Sequence, residues 1–142
     1  MDHVVYLDYK ASEMEKLLSE EKKMIIRGAA GRKLPYGRVD IGDALYFINN
    51  NGEGEVKAKA IVKSVLNSDK LTKEESINLV EKNQDKLKLT KQQFKRWGGK
   101  RYLVLIELEK VEEIEPFNID KSDYGNMDDW LLVEEIDNVK KI

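Results

Sequence analysis

Cysteine is absent from this 142-residue sequence, histidine occurs once and proline only twice. Without thiols there is no disulfide and no thiolate-held metal. A single imidazole, His3, cannot build a histidine-rich zinc site and leaves a Ser-His-Asp triad without support; at the N-terminus it reads as inert. Nowhere does the chain stay apolar for the roughly 18 residues that a membrane-spanning helix needs, and no membrane association is expected. Met1-Asp2-His3-Val4 lacks a basic stretch followed by an apolar one, so no signal peptide is expected and the expected location is cytoplasmic. Paired-carboxylate, phosphate-loop and metal-ligand spacings are missing as well, and the expectation is no metal and no cofactor.

What is present is an ordinary apolar fraction, 41%, beside a high charged fraction, 37%. This length predicts one domain, residues 1–142, around a single sizeable core. The net charge of −2 hides a separation of sign. Residues 24–38 carry four cations and no acid, residues 86–101 seven cations and no acid, and residues 102–142 twelve acids against four cations. The overall balance argues against a general polyanion binder, while the local one argues for two basic segments.

Along the chain, Val4-Val5-Tyr6-Leu7 has the composition of a strand. Ser12-Glu13-Met14-Glu15 has the pattern of a capping box, predicting a helix to about Lys22 with Met14, Leu17 and Leu18 as its buried stripe. Met24-Ile25-Ile26 predicts a second short strand and Ala44–Ile48 a third, with Asn49-Asn50-Asn51-Gly52 turning it into a hairpin. The return strand, roughly Glu55 to Val65, alternates Val56, Ala58, Ala60 and Val62 against Lys57, Lys59 and Lys63, a period of two with one wet face. Capping boxes at Thr72 and Thr90 open two further helices, the second carrying Phe94 and Trp97 and ending at Gly98-Gly99. Arg101–Leu108 is the most apolar stretch and predicts a central strand, broken at Pro116-Phe117; Trp130–Val133 predicts the last. Six or seven strands with about three helices, and no βα alternation, exclude a doubly wound sheet and predict an α+β fold around a mixed, curved or closed sheet.

The segment from Arg27 to Arg38 combines four cations with three glycines, a proline and a tyrosine. Glycines let backbone turn sharply and approach a ligand, and cations without acids suit phosphate. A solvated connection between strands is the alternative reading. A glycine-rich basic loop, a Gly42-Asp43 step into a strand, a hairpin, a helical insertion and a long apolar strand together resemble the PUA-like superfamily. Within it the chain resembles the ASCH branch, whose Gly-x-Lys-x-x-Glu-x-Arg motif is matched here by Gly31, Lys33 and Arg38, with Tyr36 where the family has glutamate. The resemblance implies a mixed β pseudo-barrel of six or seven strands with about three helices at its ends, and a cleft that in relatives receives RNA or a nucleotide, sometimes a modified base.

The resemblance carries over Lys33 and Arg38 as ligand-holding residues. Charge alone adds Arg27 and Arg32. Tyr36 can stack on a base or pack on the barrel rim. Lys95, Arg96 and Lys100 surround Trp97 in the second basic segment, the ingredients of a backbone groove with a stacking platform, although Phe94 and Trp97 also have the spacing of a buried stripe. Trp130 and Tyr124 can line a pocket or, for Trp130, belong to the core. The leading expectation is an RNA- or nucleotide-binding domain whose cleft is lined by the Arg27–Arg38 loop. One alternative is an amidohydrolase on an acetylated nucleoside using Lys33 with Glu107 as acid partner; relatives with that activity have a threonine three residues after the lysine, where this chain has Tyr36. Another is a protein-interaction domain whose acidic C-terminal segment meets a basic partner.

Overall fold

A strand that is apolar at four successive positions, as Leu103-Val104-Leu105-Ile106 is, needs cover on both faces. In a computed structural model, which describes residues 1–120 and 129–141, it has that cover. The strands are β1 (Asp2–Leu7), β2 (Met24–Ala29), β3 (Ala44–Asn49), β4 (Glu55–Asn67), β5 (Tyr102–Asn118) and β6 (Trp130–Glu134). They form one sheet in the order β2-β5-β4-β3-β1-β6, with β1 and β3 parallel and the other neighbours antiparallel. The sheet curls into a half-barrel, an α+β pseudo-barrel of the expected class.

Val104 and Ile106 point into the concave core with Val5, Leu7, Ile25, Leu45 and Phe47. Their alternates Leu103 and Leu105 join Met24 and Ile26 on the opposite face. There the insertion between β4 and β5 covers them, made of α2 (Lys73–Lys82), α3 (Gln84–Leu87) and α4 (Lys91–Trp97), with Val80, Leu87, Leu89 and Trp97 in contact. The predicted alternation in β4 holds: Val56, Ala58, Ala60 and Val62 are fully buried. Among the described residues, no helix is long and apolar enough to cross a membrane.

Pro116 does not break β5. The strand runs through it because the β4–β5 register shifts between Val56 and Ala58, partners of Phe117 and Glu113. Pro116 lies in that bulge, where its missing N–H is not needed, and two further shifts bend the long pair.

The capping boxes at Thr72 and Thr90 both form, each threonine accepting from the N–H three residues on and receiving the reciprocal side chain. The one read at Ser12 does not. Ser12 sits at φ 54° without a side-chain cap, while Asp8 accepts the Ala11 N–H at 3.1 Å and Glu13 accepts the Asp8 N–H at 3.1 Å. The turn is therefore held by Asp8, and α1 (Glu13–Leu18) ends before Lys22, which turns inward instead.

His3 is not inert. It is fully buried and joins three distant parts of the chain. Trp130 Nε1–H donates to His3 Nδ1 at 3.0 Å, so the ring's proton sits on Nε2, which donates to Asp43 Oδ2 at 2.9 Å. Burial lowers the His3 pKa from its ordinary 6.5, and the bond to Asp43 opposes this only in part. The folded protein thus holds His3 neutral, and the stability this bonding confers is present above the ordinary pKa and is lost as pH falls through the lowered one. The melting temperature should fall as pH drops below about 6.5. His3→Gln should flatten that dependence over pH 7.5 to 5.5 while costing about 1–3 kcal/mol, read by circular dichroism melts; an unchanged pH profile would remove His3 from the account.

Candidate functional site

The sheet order leaves β2 and β6 at its two ends, and one side chain spans the gap. Arg27, on β2, donates from Nη2 to the Tyr6 carbonyl of β1 at 2.7 Å and from Nη1 to its neighbour Ile26 O at 2.8 Å. Its Nε lies 3.2 Å from Asp129 Oδ2, immediately before β6. The guanidinium is packed against the rings of Trp97 and Trp130, 5.8 and 5.6 Å from their centroids, and only 9% of the side chain is exposed. Guanidinium is weakly hydrated and stacks on aromatic faces, so it tolerates such a place better than an ammonium would.

Above Arg27 opens a cavity of about 530 Å³. The turn after β1 contributes Asp8 and Lys10, α1 contributes Glu13, and the β2–β3 loop contributes Lys33 and Tyr36. Gln93, Arg96 and Trp97 come from α4, Lys100 from the approach to β5 and Tyr102 from its first position. Five of the lining side chains are cationic (Lys10, Arg27, Lys33, Arg96, Lys100) and three acidic (Asp8, Glu13, Asp129). Two of the acids are held in ion pairs, Glu13 with Lys22 and Asp129 with Arg27 and Arg96. Among the described residues, Lys10, Lys33 and Lys100 are not in ion pairs, so the mouth of the cavity is net positive. Gly28 brings bare backbone to the wall: a Cβ there would lie 2.8 Å from Leu103 Cδ2 and 3.2 Å from Tyr102 O. Among the described residues, no cluster of His, Asp and Glu is placed to hold a metal ion.

The structure brings Arg27, Lys33, Tyr36, Arg96 and Lys100 to this one cavity. Tyr36 is half-buried, donates its hydroxyl to Ser68 O at 2.5 Å and sets its ring edge-on to Tyr102 at 5.7 Å, so it packs on the rim and lines the cavity at once. Arg32 is exposed over the Tyr36 and Tyr102 rings, and Arg38 and Lys95 are exposed; none of the three is in the lining. Glu107 lies elsewhere, in a groove with Lys63 and Lys86, 3.8 and 3.3 Å from their ammonium groups, so Lys33 and Glu107 do not share a cavity. Trp130 is buried in the core; Tyr124 lies outside the described residues.

Sequence reasoning missed Glu13, Lys22 and Gln93. Glu13 Oε2 lies 3.2 Å from Lys22 Nζ and accepts from Gln93 Nε2 at 3.3 Å, and Lys22 also donates to Leu87 O. Burial alone would raise the Glu13 pKa, but the charges of Lys22 and Arg27 and its hydrogen bonds hold the carboxyl below its ordinary value. Burial pulls Lys22 below its ordinary value, with Glu13 opposing. A signal was available: Glu13 is four residues before Leu17, on the buried face of α1. Glu13→Ala should cost about 3–5 kcal/mol in chemical denaturation because it strands the Lys22 charge, while Glu13→Leu/Lys22→Met should cost less than Glu13→Ala. Equal losses in the two would show that the pair acts only by packing.

No protein-family model matches this sequence, and no curated protein does. Solved structures do match. The crystal structure of ASCH from Zymomonas mobilis superposes with a TM-score of 0.66 over 93% of this chain and 87% of that one, at 16% identity. A single-substitution variant of the same protein gives 0.66 over 93% and 89%, also at 16% identity. At that identity the likeness speaks to architecture, and it agrees with the strand order and curled sheet described above. The chain has the fold of the ASCH proteins.

Proposed function

We propose that this protein binds RNA or a nucleotide in the cavity above Arg27. The observation that carries the reading is the meeting of Lys10, Lys33 and Lys100, without ion-pair partners among the described residues, around one concave site in a chain whose net charge is −2. General surface charge does not produce such a focus in an acidic protein. The volume lies within the range of about 300–1,000 Å³ usual for small-ligand sites and admits a nucleotide. In this reading Lys33 and Lys100 act as point charges toward phosphate oxygens, and the half-buried rings of Tyr36 and Tyr102 offer edges and faces to a base. A hydrolase pairing Lys33 with Glu107 is not proposed, since the two line different cavities and the Tyr36 hydroxyl is engaged by Ser68.

The test is binding of a short oligoribonucleotide at several salt concentrations. Lys33→Ala/Lys100→Ala should weaken binding and reduce the slope of log K against log salt by about 1.4, two phosphate contacts at roughly 0.7 each on a single strand. Arg38→Ala/Lys95→Ala, outside the cavity, should change both much less. Wild-type affinity and slope in the first variant would remove the cavity as the binding site.

A further inference from the structure

Asp129 occupies an unusual position for a surface acid. One of its oxygens, Oδ2, faces two guanidinium groups, 3.2 Å from Arg27 Nε and 3.8 Å from Arg96 Nη2, at the edge of the cavity. Neither contact is well made. The buried Arg27 Nε–H has no hydrogen bond despite that proximity, and 3.8 Å is an ion-pair separation too long for a hydrogen bond. Two positive charges thus share one carboxylate through one oxygen. An unmade bond at a buried donor is costly, so the site favours any anion that can approach Nε in line. A phosphate group has several oxygens in tetrahedral array and can meet both arginines where the aspartate, tied to its backbone, cannot. Nor does the exchange require the chain to move. The Asp129 carbonyl accepts the Tyr6 N–H at 3.0 Å, anchoring the backbone to β1, while the side chain is 38% exposed and can rotate outward. Arg96 is exposed on the Trp97 ring, 4.4 Å from its centroid, on the same side.

We propose that Arg27 and Arg96 form an anion subsite within the cavity, and that the Asp129 carboxylate is its internal competitor, displaced when a ligand phosphate arrives. This rests on the reading of the cavity as a ligand site and adds where a phosphate sits and what it must evict. Asp129 then sets a threshold: weak or singly charged anions fail to displace it, and a phosphate group succeeds.

Both tryptophans of the chain, Trp97 and Trp130, lie against Arg27, so intrinsic fluorescence reports on the subsite directly. The probes are inorganic pyrophosphate, which has neither base nor ribose, and a five-residue oligouridylate. Asp129→Asn should bind pyrophosphate at least fivefold more tightly than the wild type, and adding Arg96→Gln should abolish the gain. Its melting temperature should be lower than wild type without anion and should rise more on adding pyrophosphate. Equal pyrophosphate affinity in wild type and Asp129→Asn, or a gain that survives Arg96→Gln, would overturn the competitor. If Asp129→Asn does not fold, Arg96→Gln alone decides: it must weaken pyrophosphate binding several-fold, and unchanged affinity overturns the subsite. A pyrophosphate gain with no oligouridylate binding by either protein would keep the subsite and refute the RNA reading. Oligouridylate binding that Asp129→Asn leaves unaltered would do the reverse.

Discussion

The structure depends on how a guanidinium is accommodated between the two ends of an open sheet. A curled sheet of six strands leaves an edge on β2 and another on β6, and backbone pairing does not join them. Arg27 bridges that opening with side-chain donors, to a carbonyl of β1 and toward the carboxylate that precedes β6, with an indole ring against it from α4 and another from β6. Burying this charge without partners would cost several kcal/mol. The surrounding arrangement reads as the compensation: two carbonyls, one carboxylate and two aromatic faces, with the Glu13 carboxylate near enough to feel its field.

The same constraint accounts for the cavity. Because the opening is closed by one side chain and not by a ladder, space remains above it, and the elements nearest the opening supply its walls. Those elements are the basic β2–β3 loop and the basic α4 segment, distant in sequence and adjacent here. The acids of the C-terminal third largely lie elsewhere: Glu109, Glu112, Glu113 and Glu115 are exposed along β5. Separation of sign along the sequence has become separation of sign in space, with Asp129 as the acid of that third that lines the cavity.

Much of the fold was legible because it is written locally. The period-two pattern of β4, the reciprocal capping residues at Thr72 and Thr90, and the unbroken apolar run of β5 each act over a few residues, and the order of elements pointed to the fold that the solved ASCH structure shares. Ser12 misled because its motif was right but Asp8 competed for the same turn. Pro116 misled because a bulge, set by pairing with β4, removed the need for its N–H. The site was half legible. Of the residues that line the cavity, Arg96 and Lys100 had been singled out by charge, Lys33 by the resemblance and Tyr36 by its place in the loop. Arg27 was singled out as a loop residue, whereas the strand continues to Ala29 and carries it inward. His3 and Glu13 find partners 40, 80 and 127 residues away, Asp43, Gln93 and Trp130, which no local pattern encodes.

Amide chemical-shift mapping tests most directly the proposal that ligand enters at the opening closed by Arg27. Titrating labelled protein with a short oligouridylate should perturb amides at Gly28 and Ala29, at Lys33, Leu34 and Tyr36, and from Trp97 to Tyr102. Perturbations confined to the groove around Lys63, Lys86 and Glu107, or none anywhere, would contradict the account.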